Sequence, residues 1–274
     1  MYSHNNWYEH NLFDRLHTPF TDLVCKFNPV KFKYMDFYSA AIFTANIIAN
    51  KYDNILIGLS GGIDSEFVVK LFHDQKLPFK PIIIKTPFNI TELEYAFHLC
   101  KNLNLDPIVL ECNAVEFMNV YKKLIAEKLQ GTGINSTYSV IACHYAYKHN
   151  SLFLIGDHFL GGNIDKIETI EASEWDFYCN VLYGDQSLNF FKYTPELSYA
   201  MFKEIDGSRL AEYKHRLYKC DFRPKINPDR PPNFHNLHHM IMKQVGTSNE
   251  MPKNTHIFGT GKEIVSLMES WNDS

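Results

Sequence analysis

Four short apolar runs recur along the middle of the chain, each followed by a stretch whose apolar positions repeat at helical spacing. Residues 54–60 (NILIGLS) end in Ser-Gly-Gly, which predicts a buried strand running into a turn. From Asp64 to Gln75, Phe67, Val68, Leu71 and Phe72 share one helical face. Residues 81–85 (PIIIK) predict a second strand, with Pro87 and Asn89 marking the loop beyond it. Thr91 to Asn102 predicts a helix with Thr91 at its N-cap. Residues 107–111 (PIVLE) form a third candidate strand, followed by a long amphipathic helix from Ala114 to Gln130. Gly131-Thr132-Gly133 breaks that helix, Ser136 to Lys148 predicts another, and residues 152–156 (LFLIG) a fourth strand.

Strands alternating with helices imply an α/β fold: a parallel sheet with helices on both faces. Such sheets bind ligands beyond the carboxyl ends of their strands, which directs attention to the loops after Leu59, Lys85, Glu111 and Gly156. Residues 1–50 read as a mostly helical amino-terminal extension. Residues 51–165 carry the alternation. Residues 166–274 turn aromatic, helical and Pro-rich, and are expected to pack on the same domain. Residues 221–232 hold four of the 12 prolines and predict an extended surface segment.

Composition narrows the class. Of 274 residues, 45% are hydrophobic and 21% charged, which excludes a disordered or fibrous chain. Aromatics reach 15%, so the core should be rich in rings. The net charge of −4 argues against wholesale coating of nucleic acid; a local basic patch leaves that partner open without favouring it. The six cysteines are scattered with no CxxC pair, and MYSHNNWYEHN lacks signal-peptide character. Free thiols and a cytoplasmic location are the expectation. The apolar stretch Phe37 to Ala49 falls short of the roughly 18 residues that suggest a membrane span.

The chemistry concentrates in Ser60-Gly61-Gly62-Ile63-Asp64-Ser65, directly after the first core strand and directly before a helix. Two glycines let the backbone turn sharply and approach a ligand closely. The helix behind them aims unpaired N–H groups and a positive dipole end at the turn. Ser60 and Ser65 add hydroxyl donors, and Asp64 can hold Mg²⁺ against phosphate oxygens. An ordinary Gly-Gly turn with an Asp or Ser cap would explain the same residues without a ligand.

Set after a hydrophobic strand, SGGIDS resembles the pyrophosphate-binding loop of the N-type ATP pyrophosphatases, the PP-loop superfamily. The resemblance covers about residues 50–165 and implies an adenine nucleotide α-hydrolase-like sheet of about five strands. It also implies ATP and Mg²⁺ as cofactors and cleavage of ATP between its α and β phosphates. An acceptor is thereby adenylated and then attacked by a nitrogen or sulfur nucleophile. Leu59, Ser60, Gly61, Gly62, Asp64 and Ser65, with Lys85, Thr86 and Gly156, would surround the nucleotide.

Within the superfamily, Leu154-Ile155-Gly156-Asp157 followed by Phe159-Leu160-Gly161-Gly162 is similar to the second motif of asparagine synthetases. Asp157 would stand for that family's first acidic residue, near Mg²⁺ and the reacting amine. The turn is shortened here, His158 occupies it, and the Asp-Glu pair is missing, with Asp165 the nearest substitute. Position 2 is Tyr2, not the catalytic Cys of the glutamine-dependent enzymes. The nitrogen would come from ammonia, another amine, or a separate glutaminase, and the acceptor would be a small carboxylate or carbonyl compound. Thr132, Ser136 and Thr137 fall where the family contacts substrate, or they are a helix stop and a new N-cap. A basic run holds Arg209, Lys214, Arg216, Lys219, Arg223, Lys225 and Arg230. It is either a solvated face, a tRNA contact, or the source of a Lys folded over the phosphates, for which Lys214 and Lys219 are both candidates.

Other features point to ordinary structure. Gly259-Thr260-Gly261-Lys262 looks like the end of a Walker A loop, but His256 stands at its first Gly position and Glu263 where Ser or Thr is required. A helix capped by Thr260 explains it better. His235, His238 and His239 lack further ligands at metal spacing. Cys143-His144 reads as a buried structural pair. Three rivals remain: a tRNA- or base-modifying PP-loop enzyme, NAD- or GMP-synthetase-like chemistry, and a nucleotide-binding domain without catalysis.

Overall fold

The computed structural model describes residues 7–11, 22–126, 135–163, 166–173, 182–219 and 255–273. Expectations for Thr132, Asp165, Cys179, Cys220, Arg223, Lys225, Arg230, the three histidines 235, 238 and 239 and the Pro-rich 221–232 lie outside these residues, as does the side chain of Ser136.

The alternation in the middle of the chain becomes a doubly wound sheet. Strand β3 (Ile55–Gly58) leads to helix α2 (Ile63–Asp74), β4 (Lys80–Lys85) to α3 (Ile90–Asn102), and β5 (Ile108–Glu111) to α4 (Ala114–Ala126). Helix α5 (Asn135–Lys148) then feeds β6 (Leu152–Ile155). A fifth strand, β9 (Ser187–Asn189), follows later in the chain. The order is β5-β4-β3-β6-β9, and all four pairings are parallel. Because the order reverses between β3 and β6, a crevice is left above their carboxyl ends. Ile57, Ile83 and Leu154 have no exposed surface, as strands covered on both faces require.

Three expectations change. Among the described residues before 51, helix forms only at α1 (Phe37–Lys51), capped by Asp36 accepting from Ser39 N at 3.0 Å. Before it, β1 (Tyr8–His10) and β2 (Cys25–Phe27) pair antiparallel. Tyr8 and His10 are buried and Glu9 less so, a period of two that overrides a helical reading. The carboxyl-terminal region is likewise not only helical. Strands β7 (Leu160–Asn163), β8 (Lys166–Ser173) and β10 (Thr255–Thr260) make an antiparallel sheet, alongside helices α6 (Pro195–Lys203), α7 (Leu210–Tyr218) and α8 (Gly261–Asp273). Finally, α3 starts one residue before Thr91, with Asn89 at its N-cap. The Asn89 carboxamide accepts from Thr86 N at 2.9 Å and donates to the Ile84 carbonyl at 2.8 Å, so it closes the β4 turn instead of capping the helix.

The main apolar core runs from Trp7 through the sheet to Trp271, and a smaller cluster gathers Cys112, Phe117 and Tyr121. Trp7 stacks on Phe27 with ring centroids 5.3 Å apart and meets Phe159 edge-on at 5.6 Å. Cys25, Cys100, Cys112 and Cys143 are free and buried. His144, expected to be buried beside Cys143, is exposed instead, because neighbours on a helix face different ways. Among the described residues no helix is long and apolar enough to cross a membrane.

The start of α8 is a capping box, as the sequence indicates. Glu263 N donates to Thr260 Oγ1 at 3.4 Å, and Thr260 N donates to Glu263 Oε2 at 2.8 Å. Thr260→Ala should therefore lower stability by about 1 kcal/mol in urea unfolding without touching any ligand site.

Candidate functional site

Leu59 N donates to the Ile82 carbonyl at 2.9 Å, the last ladder bond before the chain leaves the sheet. Gly61 then takes φ +84°, and a Cβ there would sit 2.2 Å from the carbonyl oxygen of Glu92 on α3. Only glycine fits. The two serines tie the turn to itself. Ser65 Oγ donates to the Gly62 carbonyl at 2.9 Å, and Gly62 N donates to Ser60 Oγ at 3.2 Å. Gly62 is the N-cap of α2 and supplies no side-chain cap, so the first-turn N–H groups of that helix stay available.

This turn forms one wall of a cavity of about 430 Å³ in the crevice between β3 and β6. Ile82 and Ile84 of β4 and Phe153 and Ile155 of β6 supply apolar walls. Asn89, Glu92, Tyr95, Tyr138 and Ser139 bring polar groups from α3 and α5. Tyr138 OH lies 3.2 Å from Thr86 Oγ1, and burial pushes its phenol up to about 12, so it stays a neutral donor and acceptor.

Beside the turn lies a cluster of charges. Asp64, 22% exposed, accepts from Lys214 Nζ and Tyr218 OH, both at 2.6 Å. Lys214 and Tyr218 stand four apart on α7 and so share a face. Burial raises the Asp64 carboxyl, but His158, charged only in the acid range where Asp64 titrates, the Lys214 charge and the two hydrogen bonds outweigh it and hold the group below its ordinary value. At the end of β6, Asp157 Oδ2 accepts from Lys192 Nζ at 2.7 Å, and Lys192 has no exposed surface. His158 Nε2 lies 3.9 Å from Asp64 Oδ1, and its Nδ1 accepts from Leu160 N at 3.1 Å. Burial, followed by the Lys214 charge, brings this imidazole down to about 4, so it is neutral near pH 7. With Nδ1 an acceptor, the neutral ring carries its proton on Nε2, toward Asp64.

The structure therefore brings together Leu59, Ser60, Gly61, Gly62, Ser65 and Gly156 at the cavity, with Asp64, Asp157 and Lys214 in the adjoining cluster. It separates Lys214 from Lys219, which ends α7 exposed in the left-handed region at φ +50°. Lys85 also lies apart from the cavity. It is exposed and paired with Glu111 at 2.7 Å, because strand alternation gives the cavity to Ile82 and Ile84. Thr86 and Thr137 are buried behind the lining, and Tyr138 and Ser139 line the cavity where Ser136 and Thr137 were expected. Sequence reading missed Lys192, Tyr218, Asn89 and Glu92. A lone Lys inside the aromatic run 190–193 was the available signal for the first, and the spacing 214/218 for the second.

No family model matches the chain, and no curated protein matches it. Similar solved structures include a predicted subunit of a tRNA methyltransferase from Methanocaldococcus jannaschii. That one has 15% identity, covers 76% of this chain and 97% of the other, and has a TM-score of 0.42. NMN synthetase from Francisella tularensis has 14% identity, 78% and 98% coverage, and a TM-score of 0.39. NH3-dependent NAD synthetase from Campylobacter jejuni has 18% identity, 87% and 94% coverage, and a TM-score of 0.39.

Two predictions follow from this geometry. Gly61→Ala should cost about 2 kcal/mol or more in urea unfolding, while Gly62→Ala, at φ −81° and facing only the Ser60 hydroxyl, should cost less than about 1 kcal/mol. Acid should also loosen the fold. His158 stays neutral to about 4, and His10, through burial first and then nearby positive charge including Lys192, to about 3. An unfolded chain protonates both near 6.5, so between about pH 6.5 and 4 the unfolded state binds more protons and stability falls with pH. Asp64 contributes outside that window, because a lowered carboxyl loses its stabilising effect only below its ordinary 3.8. From pH 8 to 5 the urea midpoint should drop by the equivalent of about 2 kcal/mol per histidine, and His10→Gln should remove about half the drop.

Proposed function

We propose that the chain is an ATP-dependent, AMP-forming enzyme of the PP-loop kind. It would pass adenylate to a small carboxylate or carbonyl acceptor and, as in asparagine synthetases, complete a carbon–nitrogen bond with ammonia or an amine. The observation that carries this reading is the uncapped start of α2, which together with the Ser-Gly-Gly turn opens on the cavity at the switch point. Helix N–H groups hold phosphate there, and the apolar cavity between β4 and β6 has the size and character to take a nucleobase.

Each residue has a definable task. The turn holds the β and γ phosphates, so pyrophosphate is the gripped leaving group. The turn has no Walker-type Lys to assist γ-phosphoryl transfer. Lys214 offsets charge developing on the leaving pyrophosphate. Mg²⁺ on the nucleotide would supply further neutralisation of phosphate charge. The donor set fits such an ion only at Asp64, since Mg²⁺ is held by one or two carboxylates plus phosphates. Both Asp64 oxygens already accept from α7, so an ion and Lys214 would share one carboxylate. Among the described residues no group of three ligating side chains could hold a metal by itself. A cytoplasmic location and ammonia delivered by a separate glutaminase belong to the same proposal.

The test is the nucleotide product. Labelled ATP with ammonia and candidate carboxylates should give AMP and pyrophosphate, and ADP as the main product overturns the reading. Asp64→Asn should lower turnover by roughly 100-fold, a few kcal/mol of transition-state stabilisation, while the protein still folds. Lys219→Met should leave the rate unchanged, and Lys214→Met should not.

A further inference from the structure

The second acid at this edge behaves differently from the first. Asp157 sits in the turn after β6, and its Oδ2 is bonded to the ammonium of Lys192, which lies in the turn after β9 and is wholly buried. Several contacts lock the two turns together. Phe190 N donates to the Ile155 carbonyl at 2.8 Å, and Asp157 N donates to Asn189 Oδ1 at 3.3 Å. The Lys192 ammonium lies 5.0 Å from the centre of the Phe159 ring, and its carbonyl accepts from Trp7 Nε1 at 3.0 Å. A wholly buried lysine held by its backbone on Trp7 and by its ammonium on Asp157 and Phe159 of the β6 turn has no room to swing aside.

We infer that Lys192 is a positioning residue of this site: it fixes Asp157 and the His158 turn beside Asp64, and it withdraws Asp157 from metal binding. A divalent cation on Asp157 would face an immobile ammonium bonded to the same carboxylate, and both charges lie where water cannot screen them. Asp64 differs, because its partners Lys214 and Tyr218 come from one helix and its side chain is 22% exposed, against 10% for Asp157. The chain thus has one acid free to share with a nucleotide-borne cation and one whose charge is spent on holding the turn. This inference deepens the proposed ATP chemistry and rests on it.

The experiment removes both charges together, since Lys192→Met alone leaves Asp157 a buried carboxylate with no hydrogen-bonded ammonium. Lys192→Met/Asp157→Asn should melt above Lys192→Met alone. Its kcat should fall about tenfold or more while KM for ATP stays within about threefold, because a misplaced turn acts on the reaction and not on nucleotide binding. Mn²⁺ binding with a non-cleavable ATP analogue, read by electron paramagnetic resonance, should be unchanged in the double variant and in Asp157→Asn. That second variant keeps an oxygen for Lys192 and so guards against a double variant that fails to fold. Full kcat in a folded double variant overturns the positioning role, and tenfold weaker Mn²⁺ binding in either variant overturns the exclusion of metal. Absence of AMP formation by the unaltered protein would instead defeat the proposed function, and the Mn²⁺ measurement would still decide the role of Asp157.

Discussion

Two aspartates and two lysines at the carboxyl edge of the sheet, three of them buried and Asp64 partly so, can exist there only because they cancel in pairs. Moving one such ion from water into a protein interior costs several kcal/mol, which an opposite charge in hydrogen-bond contact can offset. Each pair therefore fixes the elements that carry it. Asp64 and Lys214 are 150 residues apart in sequence, and their bond holds α7 against the turn after β3. Asp157 and Lys192 join the turns after β6 and β9, so the shortest strand of the sheet is anchored beyond its own ladder.

The aromatic packing makes those pairings affordable in space. Tyr218 stacks on Phe67 at 4.7 Å and on Phe191 at 5.5 Å, which sets the depth of α7 over α2. Phe159 lies between Trp7, Tyr8 and Phe258, so the amino-terminal hairpin and the antiparallel sheet meet behind the Asp157 turn. Phe159 is thus the point where strands from both ends of the chain pack beside the β6 turn.

The parts of this arrangement that obey local rules were legible in sequence. The four core strands and their helices announce themselves by apolar period, and SGGIDS marks its own turn because two glycines before a helix have few other uses. Thr260 and Glu263 name a capping box by spacing alone. What was hidden depends on contacts between distant segments. Ser187–Asn189 is too short and polar for its period to register, yet pairing with β6 makes it a strand. The antiparallel pairing of Tyr8–His10 with Cys25–Phe27 joins two three-residue strands too short for a period of two to announce in sequence. Nothing local separates Lys214 from Lys219. The difference comes from the helix face, with Lys214 sharing the face of Tyr218 and Lys219 falling past the last turn.

The edge is therefore organised by charge as much as by shape. With both aspartates paired and His158 neutral, the cluster carries no net charge where a polyanion would approach. The positive end of α2 then acts without opposition from an unpaired carboxylate in the turn. Asp64 keeps 22% of its side chain exposed, whereas Asp157 keeps 10%. Asp157 has no comparable freedom, since Lys192 is enclosed on every side. Two acids of the same type at one sheet edge thus sit differently, Asp64 against a helix that leaves it partly exposed and Asp157 against a lysine with no exposed surface.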